Sequence, residues 1–344
     1  MARRSDIERL QSAWRALAGV DRAEGWRTIP INLEGPCRLL AGRHFPGNEE
    51  AILIGFPSVR MPSDSHLPQG RGFRVARVPG GTPGGGAHEW VSLSRQPSGS
   101  SDFFAMMAGD VMGLLEGFPS SSQERLFGLF LSRIKAWQDF MERDRQGVLG
   151  SEAETGLYGE LVVLRDIVGT GIPAAYAVEA WKGPLNGLHD FSSGSAAIEV
   201  KTTVSVNSFP ARIGSLEQLD PSLKQPLFLV GVRLAVSSTG STLPNIVDML
   251  RDRLAGEPLT LNVFESRLLH AGYLDALANN YTRRFETVGI IVFEVTGSFP
   301  GLTRCNVDAA IRQAHYELDF DVLHVPVVTL DQACAHLGGS HWSC

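Results

Sequence analysis

The chain has 344 residues, of which 43% are hydrophobic and 20% are charged, and its formal net charge is −6 at pH 7. This length and hydrophobic content predict a globular protein of two or three domains with buried cores. The acidic net charge argues against a protein that coats nucleic acid non-specifically, because such binding comes mainly from Lys and Arg neutralising phosphates.

The chain lacks the sequence features of membrane and secreted proteins. No apolar run approaches the roughly 18 residues of a membrane span, and the first residues, MARRSDIERLQSAW, are polar and helical in pattern rather than signal-like. The four cysteines, at positions 37, 305, 334 and 344, have no spacing that predicts a disulfide framework. We therefore expect a cytoplasmic protein with no membrane contact.

Residues 1–98 are expected to form a β-rich N-terminal domain, opened by a short helix over residues 1–20. Short apolar runs separated by Gly, Pro and Asn predict its strands: IPINL, CRLLAG, EAILIGF, FRVARV and HEWVSL. The glycine-rich GGTPGGG at 80–86 could suggest a phosphate cradle, but it lacks the Gly-Lys-Ser/Thr ending and the strand-then-helix context. A hairpin loop is the better interpretation.

Residues 99–148 are expected to form a helical connection of two helices. Ser121 and Glu124 have the spacing of a capping box at the start of the second helix. That helix carries an apolar stripe formed by Leu126, Phe130, Ile134, Trp137 and Met141. The stripe indicates core packing and requires no functional explanation.

A second capping box, Ser151 with Glu154, predicts a helix over SEAETGLYGELVVLRDIVG. Glu160 lies on the side of its buried leucines, where a carboxylate is costly unless something pairs with it. It either reaches water or an arginine at the edge of the stripe, or it belongs to a site. Gly156 and Gly159 favour a site, because each glycine in a helix costs about 1 kcal/mol unless something must approach closely there.

The next segment, GPLNGLHDFSSGSAAIEVKTTVSV, contains two strand-like runs joined by SSGS. A two-residue turn at 194–195, with Gly first, predicts a type II′ hairpin that pairs residues 191–193 with 196–198. The same register places Asp190 directly opposite Glu199.

Alternation along the second strand places Glu199 and Lys201 on one face. Lys201 is one of only four lysines in a chain with 27 arginines. Like charges directly opposite each other are destabilising, so Asp190 and Glu199 make sense if a cation lies between them.

An Asp near one strand, Glu-x-Lys on its partner and a Glu on the preceding helix together resemble the PD-(D/E)XK nuclease superfamily. His189-Asp190 replaces the usual Pro-Asp and leaves the acid in place. The runs GLYGELVVL, NGLHDF, IEVKTT and RIGSLEQL resemble the bacterial restriction-associated PD-(D/E)XK motif proteins over about residues 150–235. The resemblance implies an α/β fold, with a restriction-endonuclease-like core of mixed sheet and flanking helices at 149–240 and a C-terminal α+β extension at 241–344.

The resemblance also implies a Mg²⁺-dependent DNA endonuclease of restriction or phage defence, with Mn²⁺ as a substitute ion. Asp190, Glu199 and the backbone carbonyl of Val200 would hold the metal, and Glu160 would support it through water or bind a second ion. Lys201 would orient or help deprotonate the attacking water and stabilise the transition state. An ammonium suits that task because its pKa shifts readily, whereas a guanidinium stays charged.

Other functions remain open at this point. One is a catalytically inactive DNA-binding or assembly subunit that keeps the fold, which divalent-metal binding would distinguish from a nuclease. Another is an enzyme unrelated to nucleic acid, although the chain has no nucleophile elbow, zincin motif or dinucleotide fingerprint. Methyltransferase and ATPase subunits are the partners that the resemblance implies, and a homodimer is open.

Downstream, Ser215 and Gln218 form a capping pair that predicts another helix, with Gln218 facing phosphate as the less favoured alternative. LFLVGVRLAV at 227–236 predicts a strand buried on both faces, and VGIIVFEV predicts a further strand. Five arginines are candidate phosphate contacts, with solvated surface charge as the alternative: Arg71, Arg74, Arg77, Arg283 and Arg284.

The C-terminal segment CAHLGGSHWSC has four residues of the types that zinc prefers, namely Cys334, His336, His341 and Cys344. Their spacing is wrong for a standard closed site. We therefore expect no structural zinc there.

Overall fold

The computed structural model describes residues 4–19, 24–78, 88–142 and 147–337. The chain divides into two compact units, one of Met1–Gly147 with Gly272–Leu277 and the other of Val148–Ala271 with Ala278–Cys344. The glycine-rich run at 80–86 and the tail from 338 onward lie outside the described residues.

The described residues of the first unit form an antiparallel sheet and three α-helices. Its strands are β1 Gly25–Asn32, β2 Arg38–Phe45, β3 Glu49–Phe56, β4 Gln69–Gly70, β5 Phe73–Arg77 and β6 Glu89–Arg95. Its helices are α1 Arg4–Leu17, α2 Ser101–Glu116 and α3 Gln123–Glu142. The sheet has the order β1-β2-β3-β6-β5-β4. Each of the predicted apolar runs lies in a strand, and the three predicted helices are present.

The predicted cap of α3 is displaced by one residue. Ser122 Oγ accepts a hydrogen bond from the Arg125 N–H at 3.3 Å, so Ser122 caps the helix instead of Ser121. The apolar stripe is buried as predicted from Leu126 to Trp137, whereas Met141 is only half-buried. The first turn therefore differs from the sequence prediction while the packing face does not.

Up to residue 337, where its description ends, the second unit forms a mixed sheet, a separate two-stranded ribbon and five α-helices. Its strands are β7 Phe191–Ser193, β8 Ala196–Thr203, β9 Pro210–Ile213, β10 Leu227–Ser241, β11 Phe285–Val295, β12 Tyr316–Asp319 and β13 Val327–Val328. Its helices are α4 Ser151–Gly169, α5 Ala174–Ala180, α6 Leu243–Leu254, α7 Pro258–Ala271 and α8 Leu330–Leu337.

The mixed sheet has the order β13-β11-β10-β8-β7, while β9 pairs with β12 in the ribbon. Strands β8 and β10 run parallel, and the other neighbours are antiparallel. The central strand β10 is continuously buried over residues 227–232, which confirms the first part of the run predicted at 227–236. The second part is not buried on both faces, because Arg233 and Ala235 are half-buried and Val236 is exposed. The predicted α/β class, with a mixed sheet flanked by helices, is confirmed.

The start of α4 differs from its predicted capping box. Gly150 precedes the helix without a side-chain cap, and Ser151 is already helical. Glu154 instead lies 3.2 Å from Arg283 Nη1, an arginine 129 residues later in the chain. The carboxylate thus forms an ion pair within the second unit rather than bonding to its own helix terminus.

The two glycines of α4 have different roles. An ideal Cβ at Gly159 would lie 1.9 Å from Thr202 Oγ1 on β8, so no side chain fits where the helix crosses the strand. A Cβ at Gly156 would meet nothing within 4 Å. Only Gly159 therefore marks a close approach of the kind that the sequence suggested for both.

Helix length and hydropathy also bear on membrane insertion. Over the ranges that the structure describes, no helix is long and apolar enough to cross a membrane.

Candidate active site

The β7–β8 hairpin positions three of the candidate residues, since Asp190 directly precedes β7 and both Glu199 and Lys201 lie on β8. Its register pairs Phe191 with Ile198, Ser192 with Ala197 and Ser193 with Ala196, as predicted. Gly194 has a φ of +54°, which a glycine adopts without steric cost at the first central position of this turn.

Asp190 lies one residue before β7 and does not pair with Glu199 across the ladder, so that prediction is wrong. Its backbone carbonyl accepts hydrogen bonds from the N–H groups of Lys182 at 2.6 Å and Gly183 at 2.9 Å. Its carboxylate Oδ2 accepts one from the Val200 N–H at 2.7 Å. The backbone of Asp190 is thus hydrogen-bonded to residues 182–183. Its side chain accepts the Val200 N–H bond that a neighbouring strand would otherwise accept.

Glu199 and Lys201 lie two residues apart on β8 and therefore share a face. The Lys201 Nζ is 2.7 Å from Glu199 Oε1. Gln218 Nε2 donates to the same oxygen at 2.5 Å. Glu199 is only 2% exposed, so both contacts act on a buried carboxylate.

Glu160 reaches the same site from α4. Its Oε2 accepts a hydrogen bond from Trp181 Nε1 at 2.7 Å, so its observed partner is an indole rather than an arginine. An ideal Cβ at Gly183 would lie 2.7 Å from Glu160 Oε2 and 2.8 Å from Asp190 Oδ1. The two carboxylates are therefore neighbours, and any side chain at position 183 would occupy the space between them.

Burial raises the pKa of all three carboxyl groups, and repulsion between carboxylates adds to the rise for Glu160 and Glu199. Burial raises the pKa of Asp190 to about 6. Burial, followed by the charge of Asp190, raises the pKa of Glu199 to about 8 and that of Glu160 well above its usual range. Three acids with unfavourable ionisation in one place are characteristic of functional sites, and a bound cation would relieve their repulsion.

The donor set fits a hard divalent cation, because carboxylate and carbonyl oxygens are the ligands that Mg²⁺ accepts. The Val200 N–H faces Asp190, and the carbonyl of the same residue points to the same edge of the strand. Gly183 leaves the space beside two of the carboxylates free of side-chain atoms.

Within the described ranges, however, no three His, Cys, Asp or Glu side chains converge as a formed metal cluster. Each carboxylate has protein donors. Glu160 accepts from Trp181 and Asp190 accepts from Val200, whereas Glu199 contacts Lys201, Gln218 and the backbone N–H of Asp190. A cation bound here would replace neutral donors at Glu160 and Asp190, and a charged partner strengthens the bond to a carboxylate.

Gln218 contacts the candidate site, although the sequence favoured a capping role for it over a phosphate contact. The helix predicted from Ser215 and Gln218 is absent, and residues 214–226 form turns and irregular structure. Gln218 Oε1 accepts from the Gly214 N–H at 2.7 Å while its amide nitrogen donates to Glu199. The Ser-x-x-Gln spacing fits a cap as well as this turn, so it gave no signal for the contact.

The arginines proposed as phosphate contacts have different environments. Arg283 contacts Glu154 in the first turn of α4. Its guanidinium also lies over the ring of Phe285 on β11, 4.8 Å from the ring centroid. The other four are exposed: Arg71, Arg74, Arg77 and Arg284. Arg283 therefore has a structural role, while the exposed four remain candidates.

Two members of the C-terminal Cys/His cluster lie in the described part of α8. Burial raises the pKa of Cys334 to about 12, which disfavours the thiolate that zinc requires. The ring of His336 stacks on Phe228 with centroids 5.7 Å apart. His341 and Cys344 lie outside the described residues, so the absence of structural zinc stays a prediction.

Comparison with known proteins yields one family. A family model described as "Putative PD-(D/E)XK family member, (DUF4420)" matches residues 10–321. The match includes all four candidate side chains and confirms the resemblance to the PD-(D/E)XK superfamily. No curated protein and no solved structure matches the chain.

Proposed function

The chain belongs to the DUF4420 family of PD-(D/E)XK type, and on that premise we propose that it is a metal-dependent endonuclease that hydrolyses DNA phosphodiester bonds. The observation that supports the proposal is that three buried acids with raised pKa values lie near one lysine and act on one another electrostatically: Glu160, Asp190, Glu199 and Lys201. Family membership supports the fold and the class of reaction, and the side chains support the role of each residue.

Asp190, Glu199 and the carbonyl of Val200 would hold Mg²⁺ or Mn²⁺, and Glu160 would support the ion through water or bind a second one. When bound, the ion supplies stabilisation of charge on the phosphate oxygens and a more acidic water. Trp181 orients Glu160 by its hydrogen bond and adds no positive charge beside that carboxylate.

Lys201 would act on the attacking water and the phosphate. Its ammonium has three N–H donors, of which one is directed to Glu199 at 2.7 Å. This contact orients the side chain and leaves two donors for water and substrate. Gln218 holds the same Glu199 oxygen from the other side, so the carboxylate and the ammonium keep a defined relation.

A setting in restriction or phage defence is proposed from the family resemblance alone, as are DNA as substrate and methyltransferase or ATPase subunits as partners. A cytoplasmic location stays an expectation from the sequence, and a homodimer stays open.

The test is cleavage of modified and unmodified plasmid by the purified chain, with and without Mg²⁺, beside Lys201→Ala. We expect nicked or linear plasmid only with metal and only from proteins that retain Lys201. Lys135→Ala, which removes an exposed lysine from α3, is the matched control and should cleave normally. Equal cleavage by Lys201→Ala would contradict the catalytic role, and metal-independent DNA binding without cleavage would favour a non-catalytic subunit.

A further inference from the structure

An open trough lies beside Lys201, between the end of β8 and the β9–β12 ribbon. Its volume is about 410 Å³, in the range of sites that hold small organic ligands. The side chains that matter for charge and shape are Lys201, Arg212, Gln218, His315, Tyr316 and Glu317. The trough thus begins at the proposed catalytic lysine and continues along the ribbon.

Arg212 on β9 also lines the trough, and the ion pair that it forms is with an exposed carboxylate. Its side chain is 82% exposed, and the carboxylate that it approaches is that of Glu152, which is 91% exposed and 3.8 Å away. Exposed ion pairs of this kind contribute little, so a ligand with stronger acceptors would displace Glu152. A guanidinium presents its N–H donors in a planar fork that matches two phosphate oxygens.

Glu317 carries the opposite charge on the same surface. It is the cross-strand partner of Arg212 in the ribbon and also lines the trough. Its carboxylate repels an anionic ligand and offsets part of the attraction by Arg212. Removing the charge of Arg212 should therefore weaken anion binding, and removing the charge of Glu317 should strengthen it.

The position of the trough beside Lys201 fits what the proposed reaction requires of the substrate strand. A scissile phosphate must come within hydrogen-bond reach of Lys201 Nζ for that group to act on it. The neighbouring phosphates of the same strand must then lie close to Lys201, since successive charges on one strand are spaced about 3.4 Å along the duplex axis. An open trough adjoining Lys201 with an available guanidinium fits one of them.

We propose that this trough binds the backbone of the nucleic-acid strand being cut, with Arg212 paired to a phosphate next to the scissile one. The proposal rests on the proposed nuclease function, because that function brings the strand to Lys201. Arg212 is a positioning residue here: it touches the strand and not the reacting atoms. Because a phosphate contact reads no base, loss of Arg212 should weaken binding equally for all base sequences.

The test measures binding of two fluorescent duplexes of unrelated sequence to the full chain, in EDTA, over a series of salt concentrations. One phosphate contact contributes a slope of about −0.9 to the logarithmic salt dependence, so Arg212→Ala should weaken binding about eightfold at 0.1 M salt. The slope should decrease by about 1 for both duplexes. Arg212→Lys should keep most of the slope, and Glu317→Gln should tighten binding.

The matched control is Arg253→Ala, which removes an exposed arginine from α6 in the same unit, where it donates to the Arg165 carbonyl. Arg212→Ala indistinguishable from this control would overturn the proposal, as would an unsubstituted chain that binds neither duplex. Plasmid cleavage separates the two ideas. Cleavage with no effect of Arg212 on binding removes the trough alone, whereas Arg212-dependent binding without cleavage removes the nuclease activity alone.

Discussion

Replacing Asp190 with asparagine should stabilise the metal-free protein at pH 8 while abolishing cleavage. Burial raises the pKa of this carboxyl from its usual 3.8 to about 6 in the folded chain. One pKa unit corresponds to about 1.4 kcal/mol, so ionised Asp190 costs about 3 kcal/mol at pH 8. This is an upper value, because part of the side chain reaches solvent. Asparagine keeps an oxygen for the Val200 N–H and removes the charge that raises the pKa of Glu199.

The gain should depend on pH in one direction. A carboxyl whose folded pKa is raised is protonated in both states well below pH 4 and costs nothing there. The cost grows as the pH rises from 3.8 to about 6 and is then constant. The difference in the free energy of unfolding between Asp190→Asn and the unsubstituted chain should therefore be about 1 kcal/mol at pH 4.5 and about 3 kcal/mol at pH 8.

Urea unfolding in EDTA at both pH values measures this difference. Asp248→Asn is the matched control, since its carboxylate is 63% exposed and 2.8 Å from Arg251, and it should change stability by about 0.5 kcal/mol or less. Added Mg²⁺ should stabilise the unsubstituted chain and the control but not Asp190→Asn, because only a folded site that binds the ion gains from it. An Asp190→Asn variant less stable than the unsubstituted chain at pH 8 in EDTA would refute the reasoning.

The other predictions concern neighbouring positions. Lys201→Ala should abolish plasmid cleavage and leave Mn²⁺ binding by calorimetry nearly unchanged, because the lysine acts on water and phosphate rather than on the ion; parallel loss of Mn²⁺ binding would contradict this. Gly156→Ala should raise the free energy of unfolding by about 0.5 to 1 kcal/mol, whereas Gly159→Ala should lower it because its Cβ would overlap a side chain on β8; the reverse order of urea midpoints would count against the packing. Gln218→Ala should reduce metal affinity or kcat about 10-fold to 100-fold through loss of its bond to Glu199, and unchanged values of both would remove it from the site.

The hairpin was predictable because its determinants are local. A two-residue turn with Gly194 in the first central position fixes the register of the strands on either side, and alternation then assigns Glu199 and Lys201 to one face. No information from the rest of the chain is needed for either step. The same is true of the apolar run of β10, whose burial follows from its composition.

The contacts of Asp190 were not predictable from that register. Extending the ladder by one pair assumed that the strand continues, but the N–H groups of Lys182 and Gly183 bond to the Asp190 carbonyl. These residues belong to a short turn after α5, and their position depends on tertiary packing. Asp190 reaches β8 through its side chain instead, at Val200 rather than opposite Glu199.

Capping signals failed for a related reason. The spacing Ser-x-x-Glu or Ser-x-x-Gln records what a side chain could do within its own helix, and a more distant partner competes for it. Glu154 pairs with Arg283, and Gln218 bonds to Glu199, so neither forms the cap that its spacing suggested. Both partners are remote in the chain and leave no trace in the local pattern.

Most of the groups that orient the acids are uncharged hydrogen-bond donors, so a search of the sequence for charged residues does not find them. Glu160 is held by an indole, Asp190 by a backbone N–H, and Glu199 by an amide in addition to Lys201. Neutral donors fix the direction of a carboxylate without adding a positive charge beside it, whereas an arginine would add one and compete with a metal ion. An arginine partner for Glu160, a natural expectation for a buried acid, would therefore weaken the metal binding that we propose. The sequence pattern of charges does not identify such neutral donors, because their contacts with the acids form only in the folded chain.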